Sequence, residues 1–153
     1  MAAALVDTNI LVYLFDPRDH VRQAEAMGLM ERLVLRRDAV LSVQCLTEFF
    51  RAVRWRLPEP LRLAPDAALA EVARCLRACR VLELTPLVVW EACRGANTFQ
   101  LSIWDALIWA TAKLNQIPMV LSEDFAHNRW LEGVLFLNPF DPAFDLAALG
   151  SGR

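Results

Sequence analysis

The chain has 153 residues, 56% of them hydrophobic and 22% charged, with a formal net charge of −2. Length and apolar content fit one domain, residues 1–153, with a continuous core, and exclude a disordered regulator. The slight acidity excludes a global basic field, so any nucleic-acid contact has to be local.

Residues 2–6 (AAALV) predict a short inner strand that ends at Asp7. No positively charged leader precedes it, and Asp7 interrupts the apolar run well short of a membrane span, so a cytoplasmic protein without membrane attachment is expected. The period then becomes helical through ILVYLF and DHVRQAEAMGLMERLVLRR, with Val21, Ala24, Met27, Met30 and Leu33 as the apolar stripe of a helix packed on a sheet. In the same helix Leu29, Met30, Leu33 and Val34 are candidates for dimer contacts, to be recognised by an exposed apolar patch.

DAVLS (38–42) predicts a second strand and VQCLTEFFRAVRW a helix after it. PEPLRLAP is a proline-punctuated connection. Asp66 to Cys79 predicts an amphipathic helix and RVLEL a third strand. TPLVVWEACRGANTF opens with threonine as N-cap and proline at the first helical position. SIWDALIWATAKLN predicts another helix, and IPMVLS and GVLFLN two more strands, before a short tail from about residue 141. Cys45, Cys75, Cys79 and Cys93 fall within helical patterns and lack partners for a tetrahedral site, so buried free thiols are expected.

Strands alternating with helices argue for an α/β fold with a parallel sheet, because parallel neighbours need a crossover that a helix provides. Ligands of such sheets bind beyond the carboxyl ends of the strands. Asp7 and Asp124 each follow a strand, Glu48 lies in the helix after the second strand, and Asp105 begins a helix. With parallel topology all four face one cleft. The plain alternatives are caps and solvated surface: Ser102 with Asp105 reads as a capping box, S-x-x-D. Asp7 resists that reading, since an acid between ALV and ILVYLF is partly desolvated. Carboxylates gathered in one cleft repel unless a cation neutralises them, and a hard divalent ion such as Mg²⁺ takes oxygen ligands.

Four blocks, LVDTNILVYLFD, LSVQCLTEFF, SIWDALIWATA and VLSEDFAHNRWLEGVLFLNPF, resemble in order and spacing the motifs of PIN-domain nucleases, especially VapC toxins of toxin–antitoxin pairs. The resemblance spans residues 4–140 and implies a three-layer α/β/α sandwich around a mostly parallel sheet. It implies an endoribonuclease dependent on Mg²⁺ or Mn²⁺, an RNA substrate, a homodimer and a VapB-like antitoxin. It also implies that Asp7, Glu48, Asp105 and Asp124 are catalytic and that Asn9 and Ser122 support them; of these, Asp7, Asp105 and Asp124 are expected to hold the metal, directly or through waters, and Glu48 to orient a water or help bind a second ion. Residues 56–66 and the segment after Phe140 match no family motif and are expected to carry individual specificity.

Arg51 and Trp55 lie three and seven residues beyond Glu48, which puts them on its helix face as candidates for phosphate contact and base stacking. Trp90, Trp104, Trp109 and Trp130 are expected in packing, and His20 and His127 have no visible catalytic partner. An aspartyl phosphotransferase wants a second aspartate where Asn9 stands. No G-x-S-x-G elbow or P-loop is present. The competing class is a PIN-like module that binds RNA or protein without cutting.

Overall fold

A computed structural model describes residues 2–150. The strands are β1 (Ala4–Val6), β2 (Ala39–Ser42), β3 (Arg80–Leu82), β4 (Met119–Leu121), β5 (Arg129–Leu131) and β6 (Val134–Leu137). They form one sheet in the order β3-β2-β1-β4-β6-β5, parallel except where β5 pairs with β6. The central strands are continuously apolar because both faces are covered. Ala4 and Val6 join one core cluster while Leu5 joins the other, and the same alternation separates Leu41 from Val40 and Leu121 from Val120.

The helices are α1 (Thr8–Tyr13), α2 (His20–Leu35), α3 (Val43–Arg51), α4 (Pro65–Ala78), α5 (Pro86–Phe99) and α6 (Ile103–Leu114). Ile10, Leu29, Leu33, Phe49 and Ala68 from α1 to α4 fill the first cluster, and Val88, Ala92 and Trp109 from α5 and α6 fill the second. The result is the expected three-layer α/β/α arrangement. None of the helices among the described residues is long and apolar enough to cross a membrane.

Helix starts follow the local chemistry of the sequence. The side chains of Asp7, Asp19, Ser42, Thr85 and Ser102 accept backbone N–H bonds at the starts of α1, α2, α3, α5 and α6. Several of these caps sit where a strand ends, so the same polar residues that start helices crowd the carboxyl edge of the sheet.

Other expectations need correction. The buried face of α2 is Ala26, Leu29, Met30 and Leu33, whereas Val21 and Met27 are each 56% exposed. Leu29 and Leu33 are therefore consumed by the chain's own core, whereas Met30 and the half-buried Val34 border an apolar groove beside it. Only Cys45 is buried; Cys75 and Cys79 are half-buried and Cys93 is exposed. In the short tail from about residue 141, Phe144 and Leu146 pack on the first cluster and Leu149 is buried in it.

Strand β5 was not predicted, because RWL offers three residues and no measurable period. It is created by a two-residue turn in which Glu132 (φ 44°) and Gly133 (φ 87°) are both left-handed, the geometry of a type I′ hairpin. Helix α3 also ends unexpectedly. Residues Ala52–Arg56 form a π turn, closed by a bond from Leu57 N–H to the Ala52 carbonyl, instead of continuing in α-helical register.

Candidate functional site

Strand β1 is flanked by β2 on one side and β4 on the other, so the strand order reverses between β1 and β4. Crevices at such switch points are where open α/β sheets bind ligands. Asp7 leaves β1 there, its N–H bonded to the Leu121 carbonyl of β4 at 3.0 Å. A cleft of about 360 Å³ opens above it, lined by Asp7, Asn9, Glu48, Asp105 and Asp124 together with Tyr13, Arg18, Gln44, Arg51, Arg56, Trp104 and Glu123. The structure thus gathers all four predicted acids, from the end of β1, from α3, from α6 and from the loop after β4. Ser122 lies beneath them, fully buried.

Asp7 is 4% exposed. Its carboxylate accepts from Thr8 N–H at 2.6 Å and from the Ser122 hydroxyl at 2.7 Å. Burial nevertheless pushes its pKa up to about 6, and the negative charges of Asp124 and Glu48 add to that push, against the two hydrogen bonds. The Asn9 amide donates to Asp124 at 3.1 Å and reaches Asp7 at 3.4 Å, and the Asp124 N–H bonds the Ser122 hydroxyl. Asn9 and Ser122 therefore tie the first and fourth acids together.

Gln44 organises the other wall. Its amide nitrogen donates to Glu48 at 2.9 Å and to the Trp104 carbonyl at 3.1 Å, joining α3 to the first turn of α6. The Asp105 N–H is held by the Ser102 hydroxyl, so the capping half of the S-x-x-D reading is present, while the Asp105 side chain lines the cleft. The cap and the place in the cleft are compatible in that residue.

The π turn changes the expected substrate wall. An α-helix would bring position 55 round to the face of Glu48 and Ala52; the extra residue of the π turn brings Arg56 there instead. Arg51 lines the cleft as expected, but Trp55 packs edge-on against Phe50 at 5.7 Å, with Arg54 over its ring. Trp104, assigned to packing from sequence, is 62% exposed and lines the cleft. Trp90 and Trp130 are exposed too, which leaves Trp109 as the core tryptophan. His127 accepts a bond from the Asn138 N–H at 3.2 Å, away from the carboxylates.

Sequence reasoning also passed over two further carboxylates in the lining: Asp16, paired with Arg18 at 2.6 Å, and Glu123, held by the Tyr13 hydroxyl at 3.0 Å and by Arg22 at 3.1 Å. Gln44 was detectable as the residue one helical turn before Glu48. Glu123 and Trp104 were detectable only as chain neighbours of Asp124 and Asp105.

The donors available to a cation are all oxygens, which suits a hard divalent ion. Among the described residues no three acids, histidines or cysteines converge into a ready-made cage. The Asn9 amide stands between Asp7 and Asp124, while the buried carbonyl oxygens of Asn9 and Gln44 have no partner. Those orphan acceptors call for donors such as water. The set fits an ion held by one or two carboxylates and several waters, the usual habit of Mg²⁺.

The PIN domain family model matches residues 4–130. The chain belongs to the PIN-domain family. No curated protein matches the sequence. Among solved structures, this PIN domain is similar to Mycobacterium tuberculosis VapC20, described as a sarcin-ricin loop cleaving toxin: 22% identity over 77% of this chain and 87% of that one, TM-score 0.59. It is similar to a toxin–antitoxin complex from Klebsiella pneumoniae at 20% identity, over 91% and 99% of the two chains, TM-score 0.65. A third neighbour is the VapBC2 complex of Rickettsia felis bound to promoter DNA, at 12% identity over 88% and 96%, TM-score 0.63. At these identities the likeness establishes the PIN fold.

Proposed function

We propose that this PIN domain is a metal-dependent endoribonuclease and the toxin of a toxin–antitoxin pair. The observation that carries the reading is the convergence of four carboxylates from separate elements on one switch-point cleft, with the deepest, Asp7, destabilised as an anion by burial. The toxins and toxin–antitoxin complexes among the structural neighbours support the biological setting.

Asp7, Asp105 and Asp124 would hold Mg²⁺ or Mn²⁺, directly or through waters. Bound there, the ion supplies positive charge for a phosphate and lowers the pKa of a water. Ser122 and Asn9 orient the carboxylates of Asp7 and Asp124 by donating to them. Gln44 holds one oxygen of Glu48 and leaves the other to accept a proton from a water aligned for attack.

A VapB-like antitoxin would sit next to the cleft, in an apolar groove of about 450 Å³ lined by Leu11, Leu14, Phe15, Met30 and Val34 with Cys75 and Cys79. Helix α1 forms one wall of both groove and cleft, so an apolar segment seated there can extend over the acids. The homodimer belongs to the same reading, with its apolar contact moved from α2 to α5, where Leu87 and Trp90 are 62% and 72% exposed one turn apart.

The test is cleavage of total cellular RNA by the purified chain with Mg²⁺ or Mn²⁺, alongside EDTA and Asp7→Asn, with the new ends mapped. Discrete metal-dependent cuts that vanish in the variant support the reading; cuts that persist in the variant end it. A binding module without catalysis is the second reading, favoured by the absence of a ready-made cage among the described residues. It predicts no cutting and no stabilisation by divalent ions.

A further inference from the structure

Trp104 occupies the first turn of α6, one residue before Asp105. From Ala106 to Ala112 that helix buries every side chain, and Trp109 is 0% exposed, yet Trp104 presents a 62% exposed indole to the acidic cleft. Its backbone is pinned, because the Trp104 carbonyl takes the hydrogen bond from Gln44 that is shared with Glu48. The ring therefore stands at a set height beside the carboxylates.

The facing wall carries Arg51 from α3 and Arg56 from the π turn, both exposed and both lining the same cleft. Neither has a hydrogen-bond or ion-pair partner among the described residues, in contrast to Arg18, which closes on Asp16 at 2.6 Å. An acidic floor repels a polyphosphate chain, so such a chain needs cations along the walls to lie across it. A free indole beside unpaired guanidiniums is the combination that single-stranded nucleic acids use, a π face for the base and a fork for the phosphate. The π turn supplies this second cation, since in α-helical register Arg56 would point elsewhere.

We propose that Trp104 is the stacking platform for one unpaired nucleobase beside the bond that is cut, with Arg51 and Arg56 gripping the adjoining phosphates. The cleft then selects single-stranded RNA, because a base paired inside an A-form helix cannot present its face to the indole. This assignment rests on the nuclease reading above.

The experiment measures binding separately from cleavage. Wild type in EDTA is titrated with a fluorescein-labelled mixed-sequence RNA of about 12 nucleotides, single-stranded or annealed to its complement, at several salt concentrations. Trp104→Ala is expected to weaken single-strand binding roughly tenfold, with Trp104→Phe within about threefold of wild type. Arg51→Gln and Arg56→Gln are each expected to reduce the slope of log affinity against log salt by about 0.7. In cleavage assays Trp104→Ala should raise KM more than it lowers kcat, and its thermal shift by Mn²⁺ should match wild type.

Equal binding of wild type and Trp104→Ala, or equal binding of the duplex, overturns the assignment. So does a change of mass in size exclusion with unchanged RNA affinity, which makes Trp104 a contact between copies of the chain. If wild type cleaves RNA and Trp104→Ala does so identically, the stacking platform falls and the nuclease stands. If wild type neither binds nor cleaves, both fall.

Discussion

The two ends of helix α6 carry opposite electrostatic arrangements, about 12 Å apart along its axis. In the last turn Lys113 bonds Glu91 and Glu132, and Arg94 bonds the same two carboxylates, so cations and anions alternate. Both cations also lie over the Trp109 ring, at 5.0 and 5.4 Å from its centre. Arg94 and Lys113 together draw the Glu91 pKa down to about 2. In the first turn Asp105 joins Asp7, Glu48 and Asp124, and burial with like charge drives Asp7 up to about 6. One end satisfies its charges internally; the other leaves them for something outside the chain to satisfy. A fold tolerates the second arrangement where function uses the unsatisfied charge.

The largest effect should separate these two ends by their dependence on Asp7. Asp7→Asn should lower RNA cleavage by roughly a hundredfold or more, read as kcat/KM on a mapped site. The same substitution should stabilise the metal-free protein. The Asp7 pKa is higher folded, about 6, than its ordinary 3.8, so its favourable contribution is complete below 3.8 and lost as pH rises through about 6. Urea unfolding at pH 8 should therefore show the variant more stable by about 1–3 kcal/mol, with the gain gone near pH 4. A variant whose stability relative to wild type is no greater at pH 8 than at pH 4 breaks the comparison.

At the paired end, Gly95→Ala should destabilise without touching the cleft. A Cβ there would stand 2.3 Å from the Trp109 ring, which cannot retreat easily while its indole N–H bonds the Leu131 carbonyl at 3.1 Å. Overpacking of this kind costs about 1–3 kcal/mol, and thermal unfolding would record it. Unchanged stability would mean that the α5–α6 contact can open.

Added divalent metal sharpens the contrast from the other side. Mn²⁺ in excess should raise the melting temperature of wild type by a few degrees and that of Asp7→Asn by clearly less. An equal shift in both would place the ion elsewhere.

The smallest effect belongs to the exposed half of the ion-pair group. Glu132 is 37% exposed, so Glu132→Gln should cost no more than about 1 kcal/mol and less at high salt. The Glu91 carboxyl has the opposite sign from Asp7: its pKa falls on folding, so its contribution is present above 4.5 and lost as pH falls toward about 2. Acid unfolding of Glu91→Gln should accordingly lose the wild-type dependence in that window, whereas cleavage at neutral pH should not change.

Much of the site could be read in the chain before folding. Asp7 and Asp124 follow the parallel strands β1 and β4, whose ends parallel pairing brings to one edge of the sheet, and Asp105 opens α6 after a short link from α5. Glu48 follows from the helix after β2. The substrate wall was less legible. The phase of a helix is readable only while its register holds, and the π turn at residues 52–56 replaced Trp55 with Arg56 at the cleft. Trp104 was misread for a related reason, since an aromatic residue in a helix's first turn can project past the packed layer instead of into it.

By itself, the sequence determined the order of strands and helices, the caps that start them and the presence of four acids at predictable junctions, because these depend on period and on contacts a few residues apart. Tertiary structure alone decided which apolar face of α2 is buried, how the Glu132–Gly133 turn recruits a sixth strand, and which cations and aromatic ring border the carboxylates. Those outcomes depend on contacts between residues far apart in the chain, and no local pattern encodes the energy of a contact that has not yet formed.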